Sequence, residues 1–68
     1  MPPTVNLLLV CKELRALRAD ESLPLTTKLA ATEAFKEALW KKLDFPASVT
    51  KWDDTAVEMY LEVIISVS

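Results

Sequence analysis

The groups in this sequence that could do chemistry are three pairs of neighbouring acids and one thiol. The acids are Glu33 with Glu37, Asp53 with Asp54 and Glu58 with Glu62; the thiol is Cys11. Two carboxylates work as a general acid and base only when burial or mutual repulsion holds a proton on one of them. Pairs at i, i+4 spacing on a polar helix face are solvated, so no such split is expected here. The chain has no histidine, so no imidazole base can activate Cys11 or a serine, and the usual nitrogen ligand for zinc is missing. One cysteine cannot build a thiolate metal site. A chain without glycine has no glycine-rich loop to cradle phosphate. Asp44, Asp53 and Asp54 lack the ordered spacing and the glycine of a calcium loop, and capping or loop roles are expected for them. No catalytic residue, metal or cofactor is predicted, and the chain is read as non-enzymatic. Cys11 is expected to serve as a small buried hydrophobe.

Binding chemistry is better represented. Trp40 and Trp52 are each read in two ways, as packing on the core or as aromatic anchors of an interface, where tryptophan is over-represented. Apolar residues make up 51% of a chain of 68 residues, more than so small a domain can hide. The surplus concentrates at the C-terminal end, in Val63, Ile64, Ile65 and Val67. Trp40, Trp52, Ile64 and Ile65 are therefore the candidate interface residues, for another protein or a second copy of the chain.

Charge narrows the partner further. Eight basic and ten acidic residues give a net charge of −2. That balance lacks the concentrated basic face of a nucleic-acid binder or of a protein docked on an anionic membrane. Lys36, Lys41 and Lys42, interleaved with Glu33 and Glu37, read as a solvated helix face. No run approaches the roughly 20 apolar residues of a membrane span. The apolar run Leu7–Cys11 is too short for a secretory signal, and a lone cysteine suits a reducing compartment. A cytoplasmic location is the expectation, and the chain is read as a single domain over residues 1–68.

Three segments must position these groups. Ser22 as N-cap, Pro24 in the first turn, and Leu25, Leu29, Thr32, Leu39 and Leu43 at helical spacing predict a helix over 23–43, ended by Phe45-Pro46. Val10, Cys11, Leu14 and Leu17 form a helical stripe, with Lys12, Glu13, Arg15 and Arg18 facing away and Thr4 able to cap, which predicts a helix over 5–18. The apolar run Val5–Val10 also fits a buried strand. The C-terminal segment has a similar ambiguity. Val57, Met59, Leu61, Val63, Ile65 and Val67 alternate like a strand, and Val63, Ile64 and Ile65 are β-branched. At 100° per residue, however, Asp54, Thr55, Glu58, Glu62 and Ser66 fall in one polar arc. Thr55 with Glu58 fits a capping box, and Asp53 and Asp54 suit a helix start. The absence of glycine, the default residue of tight hairpins, favours helix over 54–66.

The preferred architecture is thus an all-α three-helix bundle. The alternative is an α+β fold with strands near 5–11 and 57–67 around a helix at 24–43. In support of the alternative, the stretch from Leu14 to Leu29, through Glu21, Ser22, Pro24 and Thr26, resembles the second-strand-to-helix passage of ubiquitin-fold modifiers. That resemblance implies a β-grasp fold and an adaptor role. Conjugation is not implied, because the chain ends Ser66-Val67-Ser68 and lacks the glycine tail.

On the bundle architecture Leu14, Leu29, Leu39, Leu43, Tyr60, Leu61 and Ile64 are expected in the core. Three functions remain open: a non-catalytic protein-interaction module, a designed or engineered scaffold, and a ubiquitin-like adaptor without a conjugation tail. Self-association is expected through the C-terminal segment, with Ile64 outward if that segment is a strand.

Overall fold

The computed structural model describes residues 6–68 as three α-helices and one 3₁₀ turn, with no strand among the described residues. Helix α1 spans Leu7–Ala19, α2 spans Leu25–Lys42 and α3 spans Asp54–Ser66; the 3₁₀ turn is Ala47–Lys51. The three-helix bundle is therefore the fold, and the β-grasp alternative does not hold. Of its two strands, near 5–11 and 57–67, residues 7–11 and 57–66 are helical. The ubiquitin-like resemblance fails with it, because residues 14–19 form the last turns of α1 rather than a strand. Helix wins in α3 because its N-terminus is capped and its acids lie on one arc. The β-branched cost is only a few tenths of a kcal/mol per residue, and burial of Val57 and Leu61 offsets it.

The helix ends differ in detail from expectation. Thr4 lies outside the described residues; Asn6 caps α1, its side chain accepting from the Leu9 N–H at 3.0 Å. Ser22 does not cap α2, whose N-cap is Pro24. Instead the Ser22 N–H and hydroxyl both donate to the Asp20 carboxylate, at 2.9 and 2.6 Å, closing the turn between α1 and α2. Those hydrogen bonds hold the Asp20 carboxyl below its usual pKa. Asp53 rather than Thr55 caps α3, accepting from the Ala56 N–H at 2.9 Å, while Asp54 occupies the first turn as the helix dipole favours. At the end of α2, Asp44 takes the left-handed conformation at φ 60°, a position usually given to glycine, and the Phe45 N–H returns to the Leu39 carbonyl at 3.0 Å.

Cross-helix contacts give the directions. Arg15 meets Glu62 and Arg18 meets Glu58, so α1 and α3 are antiparallel. The short turn after α1, together with the Arg18–Thr32 contact, makes α1 and α2 antiparallel as well. Helices α2 and α3 consequently run the same way. The connector from Leu43 to Asp53 must climb back along the bundle, and its 3₁₀ turn packs on α2 and inserts Val49 into the core.

The buried core is Cys11, Leu14, Phe35, Leu39, Val49, Val57 and Leu61. Leu43, Tyr60 and Ile64 are partly buried against it. Leu29 was expected there and is 47% exposed; Leu25, on the same predicted stripe, is 69% exposed. The inward face of α2 is Thr32, Phe35, Lys36 and Leu39. The connector turns into α3 at the level of Lys36, so among the described residues nothing covers Leu29 and Leu25 further toward the start of α2.

Candidate protein-interaction surface

The acid pairs are taken up by cations and helix ends. The Arg18 Nε lies 2.7 Å from a Glu58 oxygen, and one terminal nitrogen donates to the Thr32 hydroxyl at 2.8 Å and lies 3.5 Å from Asp54. The side chain of Arg18 is only 15% exposed. It does not face away; it joins all three helices. Arg15 pairs with Glu62 at 3.0 Å, Lys36 with Glu33 at 2.8 Å and Lys41 with Glu37 at 2.9 Å. Among the described residues no group of three His, Cys, Asp or Glu side chains is placed to share a metal ion. Cys11 is fully buried, and burial pushes its thiol pKa up, away from the reactive thiolate.

The solvated lysine face requires one correction. Lys41 and Lys42 are exposed, but Lys36 is buried at 6% exposure. Its ammonium donates to the Trp52 carbonyl at 3.0 Å while pairing with Glu33, so the charge enters the protein with two partners. Its place beside Glu33 and Glu37 reads as solvated in the sequence, and it is the returning connector, through Trp52, that meets it.

The four candidate interface residues fall in different surroundings. Trp40 is 40% exposed, with the Lys41 ammonium 5.3 Å from its ring centroid. Trp52 is partly buried in an aromatic cluster, 5.3 Å from Tyr60 and edge-on to Phe45 at 6.3 Å between centroids. Tyr60 also packs edge-on to Phe45 at 5.8 Å. Ile64 and Ile65 are partly buried against the core. Ile64 is thus not an outward position.

Helix α3 nevertheless has an outer apolar face. Met59 and Val63 on α3 and Val67 at its C-cap, at i, i+4 and i+8, are 64%, 55% and 76% exposed. The spacing is legible in the sequence as a helical stripe, but the strand-like alternation running through the same residues hides it. The neighbouring acids Glu58 and Glu62 are paired with arginines of α1, which leaves this face free of uncompensated charge.

A second apolar surface runs between α1 and α2. Two clefts of about 320 and 360 Å³ share Val10, Phe35 and Ala38 and so adjoin along the α1–α2 seam, making up a trough in two parts. One is lined also by Leu14, Leu17 and Ala34, the other by Leu9, Leu39 and Leu43. Glu13 is the charged residue on the first and Lys42 on the second. None of the described helices is long and apolar enough to cross a membrane. No family model, curated protein or solved structure matches this chain.

Proposed function

We propose that this chain is a small, non-catalytic protein-interaction module that self-associates through the outer face of α3. The observation that carries this is the exposed stripe Met59, Val63 and Val67 on a helix whose other apolar face is already used by the core. Exposed apolar area of this kind on a small domain gains by being covered. Three side chains are far fewer than the roughly 20 per partner of a stable interface, so the association is weak and needs high concentration. The net charge of −2 offers little repulsion against it.

A designed scaffold is less well supported. Idealised chains place glycine where a helix must end in the left-handed region and avoid buried charge. Here Asp44 holds φ 60° and Lys36 is buried. A cytoplasmic setting belongs to the same proposal, supported by a free, buried Cys11 that needs no oxidising compartment. Sedimentation of the chain beside a Val63→Lys variant tests the proposal.

A further inference from the structure

We propose that the trough between α1 and α2 receives an amphipathic helix of a different protein, one with an acidic first turn and a basic last turn, lying parallel to α1. This shares with the proposal above only the premise that the chain works by binding; the surface is separate from the outer face of α3. The floor of the trough is Leu14, Phe35 and Leu39, all buried, so its base is continuous with the core. On the α2 side the short side chains of Ala34 and Ala38 leave room for a helix to approach at the usual interaxial distance of roughly 8–10 Å. On the α1 side Leu9, 51% exposed, adds an apolar side chain to the lining.

Charge selects the occupant. Glu13 and Lys42 are the charged residues on the trough, and neither has an ion-pair partner among the described residues. Leu7 and Leu43 line the same cleft, so Lys42 lies near the start of α1 and Glu13 further along it. Helices commonly carry acids in the first turn and bases in the last, where the dipole favours them. Such a helix, laid parallel to α1, brings its acidic start to Lys42 and its basic end to Glu13. None of the described helices of this chain qualifies. Helices α1 and α2 have no acid in the first turn, and α3 has no base in the last. The fitting occupant is therefore another protein rather than a second copy.

The test is an NMR titration of the ¹⁵N-labelled chain with two synthetic peptides of about three helical turns, whose first and last turns lie about as far apart as Lys42 and Glu13. Both carry the same leucine–alanine stripe; one has Glu in the first turn and Lys in the last, the other the reverse. The first is expected to bind about three- to tenfold tighter, the scale of two exposed ion pairs. Its shifts should be confined to amides around Val10, Leu17 and Ala34. The double variant Glu13→Lys, Lys42→Glu should invert the preference, a result that the peptides' own helicity cannot produce. Ala34→Glu, at an exposed position, should weaken both peptides at least about tenfold. If that variant is unfolded, the charge-reversed chain decides alone. Equal binding of the two peptides, a preference that survives charge reversal, or shifts centred on Met59 and Val63 would overturn the proposal. Loss of self-association in Val63→Lys with unchanged peptide binding bears on α3 only, so the two proposals fail separately.

Discussion

The Lys36 ammonium donates to the main-chain carbonyl of Trp52 at 3.0 Å, fastening the middle of α2 to the point where the connector turns into α3. Because α2 and α3 run the same way, that connector has to travel back along the bundle, and this bond is where its return ends. Lys36→Met keeps the apolar stem but leaves a carbonyl without its donor. It should cost about 1–3 kcal/mol, the penalty for an unsatisfied buried acceptor. Urea denaturation followed by tryptophan fluorescence measures it. A change under about 0.5 kcal/mol would mean that water serves the carbonyl equally well.

Arg18 and Arg15 both pair with glutamates of α3, but only Arg18 also reaches Thr32 and Asp54. Arg18→Ala should therefore destabilise by about 1–3 kcal/mol, through lost stem packing and lost charged hydrogen bonds. Arg15→Ala, on an exposed pair, should stay within about 0.5 kcal/mol. Paired denaturation curves at low and high salt check this, with Arg15 showing the greater relative salt sensitivity.

The two leucines of α2 offer the sharpest contrast in the core. Leu39 is 1% exposed and Leu29 is 47% exposed. Leu39→Ala should cost about 2–5 kcal/mol by leaving a cavity, whereas Leu29→Ala should cost less than about 1 kcal/mol. Similar losses at both positions would mean that the inner face of α2 is not the one described.

That contrast also shows where the sequence stops being legible. Helix α2 follows from spacing and its flanking prolines, because those are local matters, whereas the apolar run before Cys11 and the alternation in α3 fit a strand as well, and only the acidic start of α3 and the lack of glycine favour helix there. The face of α2 does not, since Leu25 and Leu29 lie on the same stripe as Leu43 yet are exposed, while Leu43 packs partly against the core. Lys36 is buried for the same non-local reason, and Arg18 joins three helices because of where Thr32, Asp54 and Glu58 arrive. The outer face of α3 was obscured by coincidence: Met59 and Val63 fit period two as well as a four-residue spacing.

Burial raises the pKa of Cys11, and burial, with a smaller contribution from Cys11, raises that of Tyr60. Both groups are neutral when protonated, so a raised folded pKa favours the folded state below the unfolded value. That contribution is lost as pH rises through the folded value. From neutral pH stability should be level up to about pH 8.5, where an unfolded thiol titrates, and should fall above it. In Cys11→Ala the fall should begin nearer pH 10, where only Tyr60 remains. Thermal melts across this range supply the comparison, judged on the shape of each profile because the substitution also removes packing.

Sedimentation equilibrium tests association through the outer face of α3 most directly. The chain should show an average mass that rises with concentration from micromolar to millimolar. Val63→Lys should remain monomeric over that range, with its melting temperature unchanged because Val63 is outside the core. A chain that is monomeric at millimolar concentration, or a Val63→Lys variant that associates as the parent does, would contradict the account.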